Sequence, residues 1–232
     1  MELLNIGIPG LDEMLGGGIP KGHTVAVLGS PGTGKSTFAL QFIYTGLQNN
    51  ENCAYLSLEE SEENLLKTAM IFGWDLKPYI SNKKLTLVNL NTLNFKAAIN
   101  SFESELPKLL RTSNIERLAI DPITLYEMIY ETESERRDHL FNFAQVMKET
   151  GVTVILTSEI SKDHAYYSKY GLIEYIADGV IIMRQERHKD LGAVTTYIEI
   201  SKMRHIDHSK EIRPYNITKN GIVVHSDSGV FI

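Results

Sequence analysis

The segment Gly29-Ser30-Pro31-Gly32-Thr33-Gly34-Lys35-Ser36 stands directly behind the apolar run TVAVL and ahead of TFALQFIYTGLQ. Its pattern, G-x-x-x-x-G-K-[ST], requires a buried strand before it and a helix after it. Glycines let the backbone curl, so that successive N–H groups aim at phosphate oxygens. The helix behind adds the partial positive charge of its first turn. The expected cradle is Gly29, Ser30, Pro31, Gly32, Thr33, Gly34, Lys35, Ser36 and Thr37. Lys35 is placed to bridge the β- and γ-phosphates of a triphosphate such as ATP. Ser36 is placed to offer its hydroxyl to Mg²⁺, and Thr37 to cover the α-phosphate.

The rest of the chain agrees with that start. Four further strand-like runs follow, CAYLSLE, LTLVNLN, RLAID and VTVILTSEI, each separated from the next by a helical pattern. Ser61 reads as the N-cap of EENLLKTAMIFG and Gly73 as its stop. Pro107 is expected to kink FKAAINSFESELPKLL or to begin a new helix. Alternating strands and helices imply βαβ units and a parallel sheet covered on both faces. After about residue 175, DGVIIMRQE, AVTTYIEISKMR and GIVVHSD read as strands with no helix between them. They extend the sheet antiparallel, with turns at HKDLG and TKNG. The fold class is α/β, and residues 1–232 read as a single domain.

Composition narrows the setting. The net charge of −6 argues against a generally basic nucleic-acid or membrane surface. The opening MELLNIGIPG lacks the features of a signal peptide, and no apolar run approaches the roughly 20 residues of a membrane span. A single cysteine, Cys53, permits no intrachain disulfide, so a reducing cytoplasm is the simplest home.

A phosphate cradle only binds; hydrolysis needs a metal anchor, a residue acting on water, and positive charge at the γ-phosphate. Asp121 ends RLAID and is expected beside the cradle, holding Mg²⁺ through a water or bonding Ser36; a turn cap is the plainer alternative. Glu59 and Glu60 end CAYLSLE, pointing in different directions. Glu59 is the choice for water, although both also suit the acidic first turn of the next helix. Thr157, Ser158 and Glu159 end VTVILTSEI, where a polar group can meet water or the γ-phosphate, or simply cap the strand. Lys202 and Arg204 lie two apart in SKMRH and leave one strand face, as a phosphate clamp or as a solvated face.

These residues, in this order, resemble the KaiC-like branch of the RecA/RadA ATPases over almost the whole chain. GIPGLDEMLGGGIPKGHTVAVLGSPGTGKST, YLSLEES, LAIDPIT, IADGVI and YIEISKMRH carry the resemblance. It implies a RecA-like ATPase core forming a ring, usually a hexamer, with ATP between subunits. It further implies that Glu59 activates water and that Lys202 and Arg204 reach the adjacent subunit's γ-phosphate. It places His208 near bound nucleotide. Two other readings remain at this stage. One is a RadA-like single-stranded DNA binder using Lys162, Lys169, Tyr166, Tyr167 and Tyr170; for that loop a subunit contact or a disordered pore loop is preferred. The other is a phosphotransferase that labels itself or a partner.

Overall fold

A computed structural model describes the backbone of residues 1–90, 95–188 and 193–226, and the side chains of residues 1–90, 104–187 and 193–226. Two short strands, β1 (Leu3–Leu4) and β2 (Ile19–Pro20), pair antiparallel around a small helix, α1 (Leu11–Met14). The alternating region follows: β3 (Thr24–Gly29), α2 (Lys35–Gln48), β4 (Cys53–Ser57), α3 (Glu62–Ile71), α4 (Lys77–Ser81), β5 (Leu85–Asn89) and α5 (Phe95–Thr112). It continues through β6 (Arg117–Asp121), α6 (Ile123–Glu127), α7 (Glu133–Thr150), β7 (Thr153–Glu159) and α8 (Ile173–Ile176). The chain then runs through β8 (Gly179–His188), β9 (Ala193–Met203), β10 (Arg213–Thr218) and β11 (Gly221–Val224).

Among the described residues, nine strands form one sheet in the order β11-β10-β9-β8-β3-β7-β6-β4-β5. The six from β8 to β5 are parallel, and β9, β10 and β11 add antiparallel pairs. The expected architecture is therefore present. Two local points differ from the sequence reading, and a third is untested. The 18-residue helix α5 runs through Pro107 without a new start. RPYNIT forms β10, a strand the sequence pattern does not signal. The expected turn at HKDLG falls largely outside the described residues.

Side-chain alternation along β3 explains why it sits mid-sheet. Val25 and Val27 join the core under α2, while Ala26 and Leu28 join the core under α7. A strand buried on both faces reads as an unbroken apolar run, as TVAVL does. Helix ends follow local chemistry. The Ser61 hydroxyl accepts from Asn64 N–H at 3.3 Å, and Thr132 with Glu135 forms a capping box at the start of α7.

Two buried ionisable side chains show opposite solutions to the cost of burial. Arg117 is fully buried but donates twice to the Glu51 carboxylate, to Asn5 O at 2.7 Å and to Phe42 O at 3.2 Å. Glu127, at the end of α6, is equally buried, yet neither carboxyl oxygen has a hydrogen-bond partner among the described residues. Burial pushes its pKa up to about 8; Glu174 adds repulsion, and Arg136 and Lys169 oppose the shift.

In an unfolded chain Glu127 ionises near 4.5. Between that value and about 8 the folded protein holds a proton that the unfolded chain has lost, so stability falls as pH rises through this window. Glu127→Gln removes that penalty. In urea unfolding it should exceed the wild type by an amount on the order of a few kcal/mol near pH 8, with the gap closing toward pH 4.5. A wild-type advantage that grows with pH would contradict this assignment.

Candidate nucleotide site

The strand–loop–helix unit forms as the motif requires. β3 ends at Gly29, the loop turns over residues 30–34, and α2 begins at Lys35. Gly34 caps α2 with φ of +90°, and a Cβ there would lie 2.6 Å from Ile217 Cδ1. Only glycine meets both conditions without strain. At Gly29 a Cβ would lie 2.5 Å from Thr33 Oγ1 and 2.8 Å from Met183 O. Thr33 Oγ1 donates to Ser30 O at 2.8 Å, and the buried Tyr215 hydroxyl donates to Thr33 O at 2.6 Å. The loop is thus pinned from inside and from β10.

Lys35 Nζ donates to Gly29 O at 2.8 Å and Ser30 O at 3.1 Å, folding back over the loop. Partial burial pulls the Lys35 ammonium below its ordinary value; Asp121, Glu159 and Glu59, in that order, oppose the shift. These three carboxylates are therefore the acidic surroundings of the cradle lysine. Ser36 and Thr37 follow on the first turn of α2.

Asp121 reaches this edge, but not as the immediate neighbour of β3. β7 lies between β3 and β6, so the aspartate is displaced by one strand. Its oxygens are held by two buried hydroxyls. Tyr55 OH donates to Oδ2 at 2.7 Å, and Thr157 Oγ1 donates to Oδ1. Thr157 therefore serves Asp121 in this structure, and Tyr55 is a site residue that the sequence reading missed. Ser158 Oγ lies 3.1 Å from Thr124 Oγ1, which also accepts from Glu159 N–H at 2.9 Å.

Glu59 and Glu60 lie in the bend after β4 rather than on the strand. Ser57 shapes that bend: its hydroxyl donates to Glu60 O at 2.6 Å and accepts from Glu60 N–H at 3.0 Å. Asn89 Nδ2 also donates to Glu60 O. Both glutamate side chains are exposed. Burial of part of the Glu60 carboxyl pushes its pKa up, with Asp121 and Glu59 adding repulsion.

Lys202 and Arg204 are elsewhere. Met203 closes β9 opposite Gly179, whose parallel partner is Val25, near the start of β3. The cradle lies at the other end of β3. From Thr24 to Gly29 is five residue steps of about 3.3 Å, or roughly 17 Å. Lys202 is the penultimate residue of β9, and Arg204 begins the turn after it rather than continuing the strand. Both side chains nonetheless turn to the same segment. Lys202 Nζ donates to Glu174 O and Ala177 O, and Arg204 Nη1 pairs with Asp178 Oδ1 at 3.1 Å. Burial lowers the Lys202 pKa, and Arg204 lowers it further. His208 follows in the same return segment. Its Nδ1 lies 2.9 Å from Ser209 O, and Ser209 N–H donates to Met14 O.

The tyrosine-rich loop is largely tied to its own chain. Lys169 pairs with Glu159 at 3.0 Å, Tyr166 lies under Arg184, and Tyr170 lies under Arg136. These contacts do not favour a strand-binding role for the loop. No described helix is long and apolar enough to cross a membrane.

Comparison with known proteins agrees with this geometry. The family description ATPase: KaiC matches residues 4–229. The circadian clock protein KaiC3 of Synechocystis is 32% identical over 97% of this chain and 46% of its own length. The circadian clock oscillator protein KaiC of Thermosynechococcus vestitus is 32% identical over 93% of this chain and 42% of its own length. The chain thus spans less than half of these clock proteins. UPF0273 protein PH0284 of Pyrococcus horikoshii is 31% identical, with 95% of this chain and 93% of that protein covered. The crystal structure of the KaiC-like protein PH0186 from Pyrococcus horikoshii superposes with a TM-score of 0.86 at 36% identity. That match covers 97% of this chain and 99% of the other.

The Tyr215 contact gives a test of how the loop is held. Tyr215→Phe leaves Thr33 O without its buried donor and should lower stability by about 1–3 kcal/mol in denaturant unfolding. Unchanged stability would show that Thr33 O finds another donor.

Proposed function

The chain belongs to the KaiC ATPase family, and from that premise we propose that it is a Mg²⁺-dependent ATPase whose subunits close into a ring, a hexamer in this reading, with ATP at each subunit boundary. The observation that carries the proposal is the separation of roughly 17 Å between the cradle and the basic turn. Lys202 and Arg204 sit too far from their own cradle to meet its phosphate. A head-to-tail contact brings the basic edge of one subunit to the cradle edge of the next, and such contacts generate rings.

Within this reading the residues take distinct roles. Loop amides and Lys35 hold the β- and γ-phosphates, and Lys35 exchanges its loop carbonyls for phosphate oxygens. The donor set fits Mg²⁺. Ser36 supplies a hydroxyl, and Asp121, whose oxygens already accept from Tyr55 and Thr157, acts through water, as this strongly hydrated ion favours. An ion held there would supply positive charge against the charge that develops on the phosphates. Glu59 orients and polarises the attacking water, and Ser57 holds the bend that presents it. The Lys202–Arg204 edge of the adjacent subunit supplies the remaining positive charge, with His208 near the same nucleotide. A cytoplasmic location belongs to this reading.

Two variants test the roles on the cradle edge. Lys35→Ala should weaken ATP binding by roughly 10- to 150-fold, the loss of one charge-assisted contact, and abolish turnover; isothermal titration and phosphate release report both. Wild-type affinity in that variant would refute the cradle assignment. Glu59→Gln should bind ATP normally and lose about 10²- to 10⁴-fold in kcat, with Glu60→Gln milder. The opposite ranking would move the water-activating role to Glu60.

A further inference from the structure

The Asp121 carboxylate is braced from both sides. β6 lies between β4 and β7, and each neighbour sends a buried hydroxyl to the end of that strand. Tyr55, on β4, donates to Oδ2 at 2.7 Å, and Thr157, on β7, donates to Oδ1. The tyrosine reaches forward to do so. Ser57 is the residue opposite Asp121 in the register, and Tyr55 stands opposite Ala119. A phenol and an alcohol each have one proton to give, and both protons go to this carboxylate.

Lys35 is the cation with most to gain from that carboxylate. Of the three carboxylates whose charge acts on Lys35, Asp121 acts most strongly. Yet Nζ donates to two neutral groups, Gly29 O at 2.8 Å and Ser30 O at 3.1 Å, and makes no ion pair among the described residues. For a half-buried ammonium an unrestrained carboxylate is a stronger partner than a carbonyl. The groups that restrain this carboxylate are the two hydroxyls.

Resting on the reading of Lys35 as the lysine that meets phosphate, we propose that Tyr55 is a positioning residue for nucleotide binding: its hydroxyl, with that of Thr157, anchors the Asp121 carboxylate and keeps it from closing on Lys35. The ammonium is thereby left on weak partners that a phosphate displaces. Without the anchor, Asp121 competes with the triphosphate for the same cation. The site then takes nucleotide only in the fraction of molecules in which that pair is open. Tyr55→Phe removes the hydroxyl and keeps the ring, which packs in the core under α2.

The test is calorimetric titration of ATP in EDTA, where no divalent metal takes part and no turnover intervenes. It compares the 232-residue wild type with Tyr55→Phe, Asp121→Asn, Lys35→Ala and the Tyr55→Phe/Asp121→Asn double variant. Tyr55→Phe should weaken ATP binding by roughly 5- to 20-fold. Asp121→Asn removes the competing charge and should bind ATP at least as tightly as the wild type. Adding Tyr55→Phe to Asp121→Asn should then change the affinity by less than about twofold. A tyrosine that only supports the fold would weaken binding equally with and without Asp121→Asn, and that result would overturn the proposal. So would a Tyr55→Phe protein that binds ATP like the wild type. If Lys35→Ala binds ATP in EDTA as tightly as the wild type, the cradle reading falls and this proposal falls with it. If Lys35→Ala is weak and Tyr55→Phe is not, the proposal alone falls. Should Tyr55→Phe not fold, Thr157→Val removes the hydroxyl from the other strand, and the same ranking against Asp121→Asn decides.

Discussion

An antiparallel strand ends where its neighbour begins, and that constraint governs the chemistry of this protein. β3, β4, β6 and β7 run parallel and deliver the cradle, the glutamates, Asp121 and Thr157 to one edge of the sheet. β8 runs with them, and β9 runs back. The reversal carries Lys202 and Arg204 to the opposite edge, near Thr24 rather than Gly29. One chain therefore holds the glycine loop with Lys35 at one edge and the Lys202–Arg204 pair at the other. Under the proposed function it takes a second copy to bring them together.

Each edge is fixed by short-range contacts that leave a donor or acceptor available. On the cradle edge, Tyr215 and Thr33 brace the loop, while Lys35 rests on two loop carbonyls. Tyr55 and Thr157 hold the Asp121 carboxylate in place with each oxygen still able to accept again. On the cationic edge, Asp178 ties Arg204 to the base of the same strand that carries the cradle at its tip.

Much of this was legible in the sequence, for identifiable reasons. The cradle is legible because its geometry admits few residue types, and the parallel strands because burial on both faces leaves nearly unbroken apolar runs such as VTVIL. β10 was not, because RPYNIT sends only Tyr215 fully inward and offers no apolar alternation. Strand order was not legible either. Nothing in the period of RLAID says that β7 separates Asp121 from the cradle. Tyr55 and Ser57 sit in a core strand, where their hydroxyls look like ordinary β-sheet residues until their partners are known. The distance between Lys202 and Lys35 follows from register alone, which the two-residue spacing of Lys202 and Arg204 does not report.

The central claim, a site completed by a second subunit, is tested most directly by specific ATPase activity measured over a wide range of protein concentration, with particle mass followed in parallel. The account predicts that turnover per subunit collapses on dilution in step with dissociation to single chains. Turnover per subunit that stays constant while the particles are demonstrably single chains would contradict it.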